Sequence, residues 1–226
     1  MIEIHAYHGW GFDDKFWDNL RNEIPLDVLF KAANRGYFGG AFDPDFSEAS
    51  DTKIIFTHSF GLHWCTNEKL HKADVLIIFN GFNDFLPIDF FERRKELKVL
   101  KRMNDQFKKT PEVVLNEFYK NCFYPQKAEN KSAEWINFSL LTMDLLALKK
   151  SNIKITNPNL RIISLSGFED RIVNHIKTKQ LQEISKNMES QIFKGYGHAL
   201  PMVNSSDCWS YLCTVLPIFV GYANKD

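Results

Sequence analysis

The feature that most constrains the fold of this chain is the alternation of short apolar runs with amphipathic runs. Residues 74–79 form a nearly continuous apolar run of the length of a strand, and residues 160–164 have a similar strand pattern. Residues 14–24 instead carry apolar side chains at helical spacing. Strands that are buried on both faces lack the alternating polar positions of a half-exposed sheet. Such strands alternating with helices predict a mostly parallel sheet that is flanked by helices.

The same pattern predicts where each element lies and where the alternation stops. Strands are predicted over residues 2–7, 26–32, 53–57, 74–79, 160–164 and 190–193, and helices over residues 14–24, 61–70, 173–185 and 206–220. From about residue 85 to residue 150 only helical runs occur. We therefore expect a core formed by residues 1–84 and 151–226, interrupted by a helical lid over residues 85–150.

Length and charge limit the classes of function. A chain of 226 residues with 44% hydrophobic and 25% charged residues suits one globular domain with an insertion. The formal net charge is zero, so a global attraction to nucleic acid is not indicated. The N-terminus lacks the pattern of a signal peptide, and no apolar stretch reaches the ~18 residues that a membrane span needs. We expect a cytoplasmic monomer without nucleic-acid or membrane partners.

The four cysteines show no CxxC pair and no spacing typical of metal ligands. We expect reduced thiols, no metal and no cofactor.

A serine follows the third predicted strand and precedes a helix, in Thr57-His58-Ser59-Phe60-Gly61. A sharp turn between strand and helix exposes a serine hydroxyl, and small neighbours allow the backbone to approach itself closely. This pattern predicts Ser59 as a nucleophile. Thr57 stands where such turns usually have a glycine, and the alternative is that Ser59 only caps a helix.

A serine nucleophile needs a base and an acid that orients the base. Asp170 follows the fifth predicted strand, and His198 lies in a glycine-flanked loop before the last helix. The chain order Ser, Asp, His is that of the α/β-hydrolase fold. Glu169 and Asp84 are alternative acids, and Asp170 is alternatively a helix cap.

The backbone N–H groups of Trp10 and Phe60 are the predicted oxyanion hole. Trp10 lies in His8-Gly9-Trp10-Gly11 after the first strand, and Phe60 follows the nucleophile. Two such donors hold the negative oxygen of a tetrahedral intermediate in these hydrolases. Both side chains are also expected to line the substrate pocket. Residues 8–11 after the first strand, the Ser59 turn, and the later Asp170 and His198 in that order together predict a serine hydrolase of the α/β-hydrolase fold.

Within that fold the chain resembles the pimeloyl-acyl-carrier-protein methyl ester carboxylesterases of biotin synthesis. The resemblance is carried by residues 8–11 with Trp17, by residues 57–61, by Ser166-Gly167-Phe168-Glu169-Asp170-Arg171-Ile172-Val173 and by Gly197-His198-Ala199. It implies hydrolysis of the methyl ester of a pimeloyl chain that acyl carrier protein bears. The alternatives are a general short-chain carboxylesterase or thioesterase that acts on free acyl esters, and an inactive binding protein of this fold.

The predicted lid carries two further features. Apolar residues at helical spacing, including Phe118 and Phe123, either pack the lid on the core or line an acyl channel. Residues 93–109 hold eight cations and two carboxylates. This run is either a solvated helix face or a docking surface for an acidic partner such as acyl carrier protein. In the second case the predicted contact residues are Arg93, Arg94, Lys98 and Arg102.

Overall fold

The protein was analysed as a computed structural model that describes residues 1–127, 135–185 and 188–219, without the side chains of residues 175, 176, 179 and 183. The strands are β1 (Ile2–Tyr7), β2 (Leu29–Ala33), β3 (Thr52–His58), β4 (Val75–Phe79), β5 (Arg161–Gly167) and β6 (Glu189–Phe193). They form one sheet in the order β2-β1-β3-β4-β5-β6. All five neighbouring pairs are parallel, which confirms the predicted class of fold.

The helices connect these strands and cover both faces of the sheet. They are α1 (Asp18–Glu23), α2 (Gly61–Trp64), α3 (Asn67–Lys72), α4 (Phe90–Phe107), α5 (Pro111–Phe123), α6 (Phe138–Ala147), α7 (His175–Leu181), α8 (Leu200–Val203) and α9 (Ser205–Val215). Short 3₁₀ turns extend α1 at its start, over Asp14–Trp17, and follow α6, α7 and α9.

Each strand sends apolar side chains to both faces. In β3, Ile54 and Phe56 belong to the cluster that packs under α1, α9 and residues 85–150, while Ile55 belongs to the cluster under α2, α3 and α7. Successive strand residues point to opposite faces. A strand between two helical layers therefore has consecutive apolar residues at its centre, as in Ile54–Phe56 of β3 and throughout β4, which is why the sequence pattern identified both strands.

The predicted helix over residues 61–70 is two helices. The α2 helix ends at Trp64, and the Thr66 side chain accepts a hydrogen bond from the backbone N–H of Lys69 at the start of α3. Thr is a good N-cap because its hydroxyl oxygen satisfies a donor that has no partner within the helix. The chain thus bends one turn after the predicted nucleophile, and the sequence prediction of one continuous helix was wrong.

The order of the strands determines where a ligand site lies. From β1 the chain passes to β2 on one side, and from β2 it returns across β1 to β3 on the other side. In open parallel sheets, ligands bind beyond the carboxyl ends of the strands at the point where the order reverses. That point lies between β1 and β3, which are followed directly by His8 and Ser59.

Residues 85–150 lie between β4 and β5 and contribute α4, α5 and α6, with no strand in the part of this segment that the structure describes. Their buried apolar side chains join the same cluster as one face of the sheet, so this segment packs on the core. That residues 85–150 form a lid distinct from the core stays a prediction. Among the described residues, none of the helices has the length and apolarity that a membrane span requires.

Candidate active site

The turn between β3 and α2 is strained at Ser59. Ser59 has φ of 52°, in the left-handed region that residues with a Cβ rarely adopt. A Cβ at Gly61 would lie 2.1 Å from the carbonyl oxygen of Tyr7, so no side chain fits there. Thr57 is still part of β3, is fully buried, and its Oγ1 donates to the carbonyl oxygen of Ile77 at 3.4 Å. The second glycine position of the turn is therefore sterically required, whereas Thr is accommodated at the first.

Asp170 and His198 are joined directly. The Nδ1 atom of His198 lies 2.7 Å from Oδ2 of Asp170, and both side chains are fully buried. An ionised carboxylate only accepts hydrogen bonds, so Nδ1 carries the proton and Nε2 of a neutral ring keeps its lone pair. Among the described residues, Nε2 makes no hydrogen bond. The ring is thus held in the tautomer that a general base needs.

Two loops are hydrogen-bonded to each other to form this pair. Phe168 N–H donates to the carbonyl oxygen of Phe193, and Glu169 N–H donates to that of Tyr196. A Cβ at Gly167 would lie 2.2 Å from the Tyr196 carbonyl oxygen, so the close approach requires glycine. The loop after β5 and the loop after β6 therefore hold Asp170 and His198 next to each other.

The structure excludes the two alternative acids from contact with His198. Glu169 accepts a hydrogen bond from the backbone N–H of Gly195 through Oε2, at 2.6 Å. Asp84 accepts from Leu86 N–H and lies 3.5 Å from the guanidinium of Arg93. Neither carboxylate reaches the imidazole.

Asn80 is a site residue that sequence reasoning missed. Its Nδ2 donates to Oδ2 of Asp170 at 2.7 Å, so it shares the oxygen that His198 uses. It follows β4 and has φ of 47°, a conformation that Asn tolerates better than most residues. An Asn directly after a buried strand was the signal available in the sequence.

His58 contacts the backbone of His198. Its Nε2 lies 2.9 Å from the carbonyl oxygen of His198, and its ring stacks on Phe16 with centroids 4.2 Å apart. Burial and the neighbouring His198 hold the pKa of His58 well below its usual range. His58 is therefore a neutral hydrogen-bond donor to the loop that carries His198.

Ser59 lies next to the same group of residues. A Cβ on Gly9 would lie 2.8 Å from Nδ1 of His58 and 3.0 Å from Cβ of Ser59, so the loop after β1 touches the nucleophile turn. Ser59 and His198 are not hydrogen-bonded to each other in this structure. Hydrogen bonds of this kind are often long until substrate binds.

The predicted oxyanion donors, Trp10 and Phe60, line the same pocket as Ser59. Within the described part of the chain, the backbone N–H groups of Trp10 and Phe60 donate to no protein acceptor. The indole Nε1 of Trp10 donates to the carbonyl oxygen of Leu141 in α6, at 2.8 Å. The position of this loop thus depends on the lid segment.

An apolar pocket of about 240 Å³ opens beside Ser59. Its lining comprises Trp10, Ser59, Phe60, Phe82, Phe85, Glu96, Val99, Leu100, Met103, Phe118, Leu145, Leu148, Arg171 and Ile172. Trp10, Phe60 and Phe118 therefore lie where the sequence analysis expected substrate contacts. Glu96 and Arg171 are the charged members of the lining.

Phe123 does not line this pocket, which corrects the expectation for that residue. It is buried in the apolar cluster between the lid segment and the core. Phe118 and Phe123 are five residues apart on α5, which places them about 140° apart around the helix axis. One side chain therefore faces the pocket and the other does not.

The basic run lies on α4. The exposed cations and the residues that line the pocket lie on different sides of this helix. Glu96, Val99, Leu100 and Met103 line the pocket. Arg94, Lys98 and Arg102 repeat every four residues, are exposed, and form no ion pair with another described residue. At about 100° per residue, this stripe is centred some 150° from the pocket side. Arg93 differs because it pairs with Asp84.

Across the ranges that the structure describes, no cluster of three or more His, Cys, Asp or Glu side chains has an arrangement suited to a metal ion. The four cysteines are free and buried. Burial raises the pKa of the Cys122 thiol well above its usual range, so this thiol stays protonated.

Comparison with solved structures identifies the fold as that of the α/β-hydrolases. A bromoperoxidase from Bacillus anthracis matches with a TM-score of 0.74 and 14% identity, covering 97% of this chain and 92% of that chain. An esterase from Exiguobacterium antarcticum matches with a TM-score of 0.71 and 13% identity, covering 94% and 92%. A lipase-esterase related protein from Clostridium acetobutylicum matches with a TM-score of 0.66 and 13% identity, covering 95% and 94%. No protein-family model and no curated protein matches the sequence.

Proposed function

We propose that this protein is a serine carboxylesterase with Ser59 as nucleophile, His198 as general base and Asp170 as the acid that orients it. The observation that carries the proposal is the buried Asp170–His198 hydrogen bond, next to a strained serine turn and an apolar pocket. Esterases among the structural neighbours share the fold. At this low identity they support the proposal only through the fold.

The proposed reaction follows from the placement of these groups. His198 Nε2 takes the proton of Ser59 Oγ as Oγ attacks the ester carbonyl, and Asp170 stabilises the imidazolium that forms. The N–H groups of Trp10 and Phe60 hold the oxyanion. The tetrahedral intermediate then expels the alcohol, which takes the proton from His198. Water, activated in the same way, releases the acid from Ser59.

The pocket suggests the kind of acyl group. Its walls are mostly apolar, so it suits an aliphatic chain and disfavours water near the reacting ester. Ligand pockets typically measure about 300–1,000 Å³, and this one is smaller. We expect a short or medium acyl chain to be preferred over a long lipid chain.

The first test uses a fluorophosphonate probe and p-nitrophenyl esters of graded chain length. The wild-type protein should be labelled at Ser59 and should hydrolyse short and medium esters faster than long ones. Ser59→Ala should abolish both labelling and turnover. A folded wild-type protein that neither reacts with the probe nor cleaves any ester of the series would overturn the proposal and favour a binding protein of this fold.

We further propose that the substrate is the methyl ester of a pimeloyl chain carried by acyl carrier protein, as in biotin synthesis. Two observations support this finer proposal. The pocket is lined mostly by apolar side chains, which suit a chain of methylene groups, and α4 forms one of its walls. The outer side of α4 presents Arg94, Lys98 and Arg102 to solvent. Acyl carrier proteins are acidic, and a cationic surface raises the rate of encounter with an acidic partner.

The test compares two triple charge reversals. Arg94, Lys98 and Arg102 are replaced by Glu in one variant, and Lys72, Lys154 and Lys194, which are exposed and outside α4, are replaced by Glu in the control. At low salt, the first variant should lose at least about tenfold in kcat/KM on the carrier-bound methyl ester and little on a p-nitrophenyl ester. The control should retain both activities.

Salt provides a second criterion. The advantage of the wild type on the carrier-bound ester should shrink as ionic strength rises, because screening shortens the range of charge interactions to about 8 Å near physiological salt. Equal effects of the α4 variant on both substrates would favour the alternative, an esterase or thioesterase that acts on free acyl esters. Turnover of p-nitrophenyl esters without any turnover of the carrier-bound pimeloyl ester would overturn the finer proposal.

A further inference from the structure

The lid helix α6 is hydrogen-bonded to the loop that carries one predicted oxyanion donor. Asp144 in α6 is buried and accepts two hydrogen bonds from the guanidinium of Arg35, at 2.9 and 3.0 Å. The Tyr37 hydroxyl donates to the same carboxylate at 2.7 Å. One turn earlier in α6, the Leu141 carbonyl oxygen accepts from the Trp10 indole. Two adjacent turns of α6 therefore contact the core on the pocket side.

Arg35 transmits this contact to the loop through its own backbone. The Arg35 N–H donates to Nε2 of His8 at 3.0 Å, so this nitrogen is the acceptor and Nδ1 of His8 carries the proton. Nδ1 lies 2.9 Å from the carbonyl oxygen of Gly9 and donates to it. A single tautomer of His8 satisfies both contacts.

The carbonyl of Gly9 and the N–H of Trp10 belong to one peptide plane. A peptide bond is rigid and nearly planar, so holding the oxygen of Gly9 fixes the direction in which the Trp10 N–H points. Phe12 N–H donates to the same oxygen at 3.4 Å. The Trp10 N–H is the group to which the proposed reaction assigns half of the oxyanion hole.

We propose that Asp144 is a positioning residue for the oxyanion hole, acting through Arg35 and His8 on the Gly9–Trp10 peptide. The proposal rests on the function proposed above and adds that the lid does more than cover the pocket. Asp144 touches neither substrate nor a reacting atom. Its role is to hold the lid helix and the oxyanion loop in one arrangement, since oxyanion stabilisation depends on donors that are already oriented before the reaction.

The two hydrogen bonds between Arg35 and Asp144 fix the orientation of the Arg35 guanidinium. The planar guanidinium presents two parallel N–H groups, so a carboxylate that accepts both fixes the orientation of Arg35 as well as its distance. Burial raises the pKa of Tyr37 well above its usual range, with Asp144 adding to the shift, so the Tyr37 hydroxyl stays a donor. Asp144→Asn has nearly the same shape but loses the charge and one of its two acceptor oxygens.

The test measures steady-state kinetics of Asp144→Asn on a p-nitrophenyl ester, together with inhibition by a trifluoromethyl ketone that forms an oxyanion on Ser59. We expect kcat to fall at least about tenfold with KM within about twofold, because a displaced donor acts on the intermediate and not on the ground state. The inhibition constant should rise by the same factor by which kcat/KM falls. Arg35→Lys keeps a cation without the bidentate fork and should show the same pattern.

The matched control is Glu189→Gln. Arg161 Nε and Nη2 donate to Glu189 Oε1 at 3.0 and 2.7 Å, and this pair joins β5 to β6 without touching the oxyanion loop. Its removal should leave kcat and the inhibition constant within about twofold of wild type. Thermal unfolding of each variant separates loss of the fold from loss of positioning. If Asp144→Asn does not fold, Arg35→Lys decides the question.

The outcomes are distinct. A folded Asp144→Asn or Arg35→Lys with unchanged kcat, a change in KM alone, or a fall in kcat without a matching rise in the inhibition constant would overturn the positioning role. An equal effect of Glu189→Gln would do so as well. In each of these cases the wild type is still labelled by the fluorophosphonate. A wild type that is not labelled would instead overturn the proposed function, and the positioning role with it.

Discussion

Replacing Asp170 by Asn tests the proposed acid with a change of almost no volume. The carboxylate accepts four hydrogen bonds: Oδ1 from the backbone N–H groups of Ile172 and Val173, at 2.7 and 2.8 Å, and Oδ2 from Asn80 Nδ2 and His198 Nδ1, each at 2.7 Å. The amide oxygen of the variant must occupy the Oδ1 position, because two fixed backbone donors point there. Its NH₂ group then faces two further donors.

This conflict determines the size of the effect. Opposite an NH₂ group, Nδ1 of His198 must accept, which moves the ring proton to Nε2 and leaves no lone pair for Ser59. The corresponding Asp-to-Asn substitution lowers kcat by about 10⁴ in a serine protease with a Ser-His-Asp triad, because the histidine then has the wrong tautomer. The Asn80 amide also loses its acceptor, at a cost to stability of about 1–3 kcal/mol for a buried unsatisfied donor. The variant should therefore be folded, somewhat less stable, and nearly inactive.

The assay is hydrolysis of a p-nitrophenyl ester, with thermal unfolding to confirm the fold. Glu169→Gln and Asp84→Asn are the matched controls, since both remove a nearby carboxylate that bonds away from His198. Both should keep activity within about fivefold. A folded Asp170→Asn that retains more than a tenth of wild-type kcat would refute the reasoning. Inactivation by either control would point to that carboxylate instead.

Three further predictions follow from the structure. Gly61→Ala places a methyl group 2.1 Å from the Tyr7 carbonyl oxygen, so it should displace α2 and slow fluorophosphonate labelling of Ser59 by at least about tenfold. Burial lowers the pKa of His63 to about 4, so the unfolded chain takes up a proton below about pH 6.5 before the folded one does. Stability should therefore fall between about pH 6.5 and 4, by at most about 3 kcal/mol from this group, and His63→Gln should flatten the decline in urea titrations. EDTA should leave ester hydrolysis unchanged, and a loss that a divalent metal restores would contradict the metal-free mechanism.

The local sequence was sufficient to predict where the strands of the sheet lie, because a buried strand has a recognisable apolar pattern. The predicted strands match all six observed strands to within three residues at either end, and the clearest runs belong to the central strands, which place apolar side chains on both faces of the sheet. The glycine pattern predicted the nucleophile turn for a similar reason. Gly61 is required by a contact only 2.1 Å away, and such a constraint is visible in one residue.

Tertiary packing, which the sequence pattern does not show, decided where the helices end and which residues line the pocket. The break between α2 and α3 depends on the Thr66 cap, and the pocket takes Phe118 but not Phe123 because of the phase of α5. Apolar periodicity indicates that a side chain is buried, but it does not show which residues the side chain contacts. The basic run was readable in the sequence, whereas its separation from the pocket side of α4 was not.

By itself, the sequence determined a parallel sheet with helices on both faces, a helical segment between β4 and β5, and the chain order Ser59, Asp170, His198. These features are local, or depend on chain order alone. Only the tertiary structure decided that Asn80 shares the Asp170 carboxylate and that Asp144 is tied to the Gly9–Trp10 peptide. Those contacts join residues far apart in the chain, and a hydrogen bond depends on distances and angles that residue order does not specify.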